Sequence, residues 1–241
     1  MSIKSKVIKF IQVITHPTLV RFSILFSIYT FLLGLVIGVI IATIFGPEGY
    51  TMTNNYISDL GSIRYTPAPF ILDIIAMVTA PFTMPIFFNL TKSILMGTRD
   101  KIFTKETSIG KKIYYSIIWI SAILGLISLL AGSVGLFGIG LFSEDRTTEL
   151  NLHFTFSIVV FAGLVFGSLF SGFAILLKKT IVPRILGIYM MIAPFTAALL
   201  FIFSQPPLTK QYMEWWMLFS ILFWMVPGAL LMYKKLMSEK Y

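Results

Sequence analysis

The chain has 241 residues, of which 57% are hydrophobic and only 12% charged, and its 19 Lys and Arg against 10 Asp and Glu give a net charge of +9. A soluble domain carries about 25% charged residues, so a mean hydropathy of +0.89 makes lipid the main solvent and excludes a water-soluble globular fold. The absence of cysteine further excludes disulfides, thiolate metal sites and Cys nucleophiles.

The first apolar stretch covers residues 22–45 and follows Lys4, Lys6, Lys9, His16-Pro17 and Arg21. It exceeds the core of a signal peptide and ends at Ile44-Phe45-Gly46-Pro47 without a small-x-small cleavage pattern, so it is expected to stay as an uncleaved anchor. Gly34 and Gly38 form a small-xxx-small pair that suits close approach of another helix. Residues 70–90 form the second stretch, in which Pro81 and Pro85 each remove a backbone donor and predict a kink near the middle. A sequon, Asn89-Leu90-Thr91, falls at the end of this span on the basic side, where no glycosylation is expected.

The third and fourth stretches, 113–137 and 153–177, carry Gly125, Gly132, Gly135, Gly138 and Gly140, then Gly163, Gly167, Ser168, Ser171 and Gly172. Small residues at three- and four-residue spacing leave smooth helix faces, which predicts a tight hairpin between these two spans. The fifth and sixth stretches are 185–203 and 215–233. Trp119, Trp215, Trp216, Tyr114, Tyr115 and Tyr233 lie near span ends as interfacial anchors, whereas Trp224 lies in mid-span and either faces lipid or packs inside.

Each stretch is about the ~20 residues that cross a hydrocarbon core. The predicted fold is therefore all-α: one polytopic domain over residues 1–241, a bundle of six transmembrane helices with both termini on one side. The segments on that side hold sixteen of the 19 basic residues, and the opposite segments hold only Arg64, Arg146 and Lys210. Positive flanks are retained in the cytoplasm during insertion, so the termini are expected to be cytoplasmic and the protein to be a multi-pass cell-membrane protein. The basicity is read as orientation and attraction to anionic lipid heads, with no nucleic-acid partner. Membrane lipids are the expected partners, with a membrane-protein partner or a second copy docking on the Gly-rich faces.

Acidic residues lean to the outward side: Glu48, Asp59, Asp73, Glu144, Asp145, Glu149 and Glu214. Asp73, about one turn inside the second span, carries the greatest energetic weight. An unpaired carboxylate in the apolar zone costs on the order of 3 kcal/mol, so it needs water or a partner among Asp59, Arg64, Arg146 and His153. Asp59, Asp73, Asp145 and His153 are the candidate ligand-binding residues, and His153, Asp145 and Asp59 the candidate catalytic ones. Carboxylate oxygens with one imidazole suit a divalent cation such as zinc or manganese; a hydrogen-bonded Asp and His network tying loops to helices is the alternative. No P-loop, G-x-S-x-G, H-E-x-x-H or haem-type histidine pair occurs.

These residues resemble a prokaryotic family of six-span membrane proteins catalogued as domain of unknown function 998. The resemblance lies in Ser58-Asp59-Leu60-Gly61 after the first span, Leu72-Asp73 opening the second, Gly140-Leu141-Phe142-Ser143-Glu144-Asp145 after the third, and His153 opening the fourth. Asp73 stands where the family pattern has Asn, and Ser143 where it has Pro. A more distant likeness, through the S-D-x-G segment, is to the Frag1/DRAM group. The resemblance implies a six-span fold and membrane location, and no defined activity.

The expected function is an outward polar pocket that binds a lipid head group or small polar ligand. An enzyme on this pattern would perform metal-assisted or acid-base hydrolysis with His153 moving a proton. The alternatives are a transporter of a hydrophobic or small substrate, and a non-catalytic subunit of a membrane complex. Ion conduction is disfavoured because ionisable residues are confined to the outer half of the spans.

Overall fold

A computed structural model describes residues 3–104 and 107–238. Lys105, Glu106, Glu239 and Lys240, which entered the charge comparison, lie outside the described residues. Among the described residues eight α-helices follow one another: α1 Ile3–Ile14, α2 Pro17–Phe45, α3 Phe70–Leu95, α4 Thr98–Phe103, α5 Ile109–Leu141, α6 Leu152–Leu177, α7 Arg184–Ile202 and α8 Lys210–Ser238. Two 3-10 turns, Ser58–Gly61 and Glu144–Arg146, sit in the loops, and no strand occurs among the described residues. Six of the helices are long and apolar enough to cross a membrane, so the chain is an all-α six-span bundle.

Four of the spans, α2, α3, α5 and α8, run several residues beyond the apolar stretches, most of all α8, which begins at Lys210 rather than near residue 215. Helical hydrogen bonding does not stop where hydrophobicity stops; it continues until proline, glycine or a turn interrupts the i to i−4 ladder. That extension places Glu214 inside a helix rather than in a loop. The short helices α1 and α4 form in basic segments beyond the spans, where hydropathy gives no signal.

Membrane-type packing organises the bundle. Along α2, Leu33, Val36, Ile37, Ile40 and Ile44 are about half exposed or more, the side that meets lipid, while Gly34 lies flush against α3. A Cβ at Gly34 would come within 2.3 Å of Ile75 Cγ2, so that contact admits only glycine without rearrangement. The α5–α6 hairpin is the most extensive helix pair in the molecule. A Cβ at Gly135 would meet the Val160 backbone nitrogen at 2.4 Å, and one at Gly163 would meet the Gly132 nitrogen at the same distance.

Helix α3 is continuous across Pro81 and Pro85. Its sequon residue Asn89 is buried and points its amide at the Met232 sulfur, 3.7 Å away. Trp224 is packed inside, at 3% exposure. Trp215 departs from the anchor expectation. It is 2% exposed and its indole N–H donates to the Asn55 carbonyl at 3.2 Å, so it braces the loop after α2 against α8. At the basic end, Lys178 caps α3: its ammonium donates to the Ile94 carbonyl at 2.6 Å, the Thr98 hydroxyl at 2.7 Å and the Met96 carbonyl. A cation on the orphan carbonyls of a helix C-terminus is favoured both by hydrogen bonding and by the helix dipole.

Candidate functional site

The loops after α2 and α5 meet over one end of the bundle, and the acidic residues hold them there. Asp59, in the first 3-10 turn, accepts from the Tyr56 N–H at 2.9 Å and the Asn55 amide at 3.2 Å through Oδ2. Tyr50 donates its hydroxyl to the Tyr56 carbonyl at 2.8 Å, and burial, then the charges of Asp59 and Glu214, push its pKa up. Glu214, 7% exposed in the first turns of α8, accepts from the Ile57 N–H at 2.7 Å. Two carboxylates from opposite ends of the chain therefore close the same short turn.

Asp145 does similar work from the second loop. Its Oδ1 accepts from the Ser62 hydroxyl at 2.8 Å and its Oδ2 from the Ile63 N–H at 2.6 Å. The neighbouring Arg146 folds inward and donates to Asp73 Oδ2 at 2.7 Å and to the Gly140 carbonyl at 2.9 Å. Asp73 is 7% exposed and its partner 54%, so the buried carboxylate is compensated from a side chain that keeps contact with the surroundings. Ser143 lies beside Asp73. The approach depends on Gly140, where a Cβ would fall 2.5 Å from the Asp73 carbonyl.

Glu144 hydrogen-bonds the Asp59 carboxyl group. Two carboxyls bond only when one carries a proton. Burial first, then the negative charge of Asp59, pushes the Glu144 carboxyl up to about 7. Glu144 Oε2 is buried and no donor reaches it. His153 donates from Nδ1 to the Phe142 carbonyl at 2.8 Å, since a carbonyl only accepts. Its Nε2 is likewise buried without a partner.

Beneath this network lies a cavity of about 110 Å3. Five of the spans wall it, α2, α3, α5, α6 and α8, and its walls draw on all three hydrophobic clusters of the bundle, through Ile86 and Ala229, Leu218, and Ile221. It is apolar along its length and becomes polar at the acidic end, where Asp73, Ser143, Glu144, His153 and Glu214 line it. Farther in, the hydroxyls of Ser27 and Thr79 also face it, both buried and both without a partner.

Of the residues singled out from sequence, Asp73 and His153 line the cavity, whereas Asp59 stands behind Glu144 and Asp145 holds the rim outside the lining. Each is committed to a separate interaction. Among the described residues no group of three or more His, Cys, Asp and Glu is arranged to hold a metal ion, so the divalent-cation arrangement envisaged for Asp59, Asp73, Asp145 and His153 is not formed. Glu144 and Glu214 are the lining carboxylates that sequence reasoning left out of the site. Glu214 had a usable signal: a carboxylate directly before Trp215-Trp216, one turn into the last span.

Comparison of the chain with protein-family models, curated proteins and solved structures finds no match. The resemblance described above therefore rests on its short motifs alone.

Proposed function

We propose that this multi-pass membrane protein holds an amphiphile in the cavity of its bundle, with the apolar chain among the spans and the polar head at the acidic end. In this reading the acidic end faces outward and the termini are cytoplasmic, as the distribution of Lys and Arg requires. Kinship with the six-span family is part of the same proposal.

One observation carries it. The cavity is apolar throughout its body, yet four buried polar atoms without partners, Ser27 Oγ, Thr79 Oγ1, Glu144 Oε2 and His153 Nε2, all belong to residues that line it. Unpaired buried polar groups cost about 1–3 kcal/mol each, and binding sites combine an apolar pocket with a few convergent polar groups. An amphiphile satisfies both surfaces at once. A purely polar ligand would leave the apolar walls unfilled, and a hydrocarbon would leave the four polar atoms bare.

The test is retention of a ligand through purification. Wild-type protein in mild detergent is expected to carry a stoichiometric amphiphile, detected by native mass spectrometry and identified after solvent extraction. Ala76→Phe, which places a ring in the cavity from α3, is expected to lose that ligand while eluting as the same monodisperse species. A wild-type protein that carries nothing, and that takes up no added amphiphile, overturns the reading.

A further inference from the structure

The unpartnered atoms also define which head group the site accepts. With Nδ1 of His153 bonded to the Phe142 carbonyl at 2.8 Å, Nε2 is the acceptor of the uncharged tautomer, and that atom is buried without a partner beside the cavity. Glu144 Oε2 accepts whenever the carboxyl is ionised, and it too is buried with no partner. Both vacant positions at the polar end therefore call for a donor.

Charge points the same way. Asp73, Glu144 and Glu214 line the cavity, and no Lys or Arg does. Arg146 is already shared between Asp73 and the Gly140 carbonyl, and Arg64, whose charge reaches Glu144, is paired with Glu48 at 2.9 Å. A phosphate or carboxylate head would meet acceptors and negative charge with no free cation, a desolvation cost without compensation. Deeper in the cavity, the hydroxyls of Ser27 and Thr79 can donate as well as accept. They suit the linkage between a head and its chain, and do not restore an anion site at the mouth.

We infer that the ligand of this cavity is an amphiphile whose head donates hydrogen bonds and carries no negative charge, bound head-first against His153 Nε2 and Glu144 Oε2. The inference rests on the amphiphile reading above and narrows it to one head chemistry, N–H or O–H donors on an apolar chain. It excludes the anionic lipids that a basic membrane protein would ordinarily be expected to select.

The experiment uses the full chain in nanodiscs of zwitterionic lipid and compares three probes of equal chain length: a primary alkylamine, a monoacylglycerol and a lysophosphatidic acid. Binding is read by displacement of a fluorescent alkyl probe and by native mass spectrometry. At least one of the two donor probes is expected to bind at least tenfold more tightly than the anionic one. Glu144→Gln, close in volume, separates the sources: a more than fivefold loss for the amine with little change for the monoacylglycerol identifies an ammonium head, and retained monoacylglycerol binding with no amine binding identifies a hydroxyl head. His153→Gln is expected to weaken whichever donor binds. Equal or tighter binding of lysophosphatidic acid overturns the head assignment while leaving the amphiphile reading intact. Failure of all three probes, together with an Ala76→Phe variant indistinguishable from wild type, overturns both.

Discussion

At the scale of single residues, the acidic end is a set of carboxylates solved by different means. Asp73 is buried one turn into α3 and is matched by Arg146, at 2.7 Å. Removing one partner of a buried pair leaves an uncompensated charge, at a cost of about 3–5 kcal/mol when both are buried; because the Arg146 side chain is 54% exposed, the loss for Arg146→Met is expected to be smaller, about 1–2 kcal/mol. The double variant Asp73→Asn with Arg146→Met is expected to recover most of it, since a neutral amide needs no counter-charge. Thermal unfolding in detergent measures both, and a double variant no more stable than Arg146→Met contradicts the pairing argument.

Glu144 gives a second residue-scale expectation. Its carboxyl, ordinarily at 4.5, is held at about 7 by burial and by Asp59, with Asp145 adding to the shift and Arg64 opposing it. Between those values the folded chain keeps a proton that the unfolded chain has released, so the folded state binds more protons. Stability from this group is therefore fully present below the unfolded value and is lost as pH rises through about 7. The melting temperature should fall between about pH 5 and about pH 8, and Glu144→Gln should flatten that slope. A rise with pH over the same range contradicts an upward shift of the Glu144 carboxyl.

At the scale of elements, the helix pair α5–α6 shows how far small residues go in lipid. Without a hydrophobic drive between helices, association depends on packing and on backbone approach, and Gly135 and Gly163 allow contact that a Cβ would block at 2.4 Å. Gly135→Leu is expected to cost on the order of 3 kcal/mol and to lower the yield of monodisperse protein, whereas Gly110→Leu, where nothing lies within 4 Å of a Cβ, should be nearly silent. Equal behaviour of the two would show that the hairpin is held by something other than this close approach. The Gly stripes made this pair legible in the sequence, because spacing on one helix is a local property. The brace from Trp215 to Asn55 was not legible, since it joins residues 160 apart and a tryptophan at a span end reads as an interfacial anchor until its neighbours are known.

At the scale of the whole molecule, six spans form a bundle around a cavity lined by carboxylates at one end, and the distribution of Lys and Arg predicts its orientation. Orientation is tested with introduced thiols, which the cysteine-free chain allows without background. In intact cells an impermeant maleimide is expected to label Thr147→Cys and to miss Lys101→Cys. The reverse pattern would place the termini outside and the cavity mouth in the cytoplasm.

Periodicity and charge were enough to establish from sequence alone that the chain is helical, that six segments can cross a membrane, and that carboxylates gather at one end, because hydropathy and charge are summed along the chain and need no partner. The inner division of labour belongs to the tertiary structure. Asp59 and Asp145 hold loops, Asp73 is neutralised by Arg146, and the atoms left vacant above the cavity belong to Glu144 and His153. Whether a polar atom is satisfied depends on what distant segments bring within about 3 Å, and composition holds no record of that distance. The same holds for the cavity itself, which exists only because five helices fail to fill the space between them.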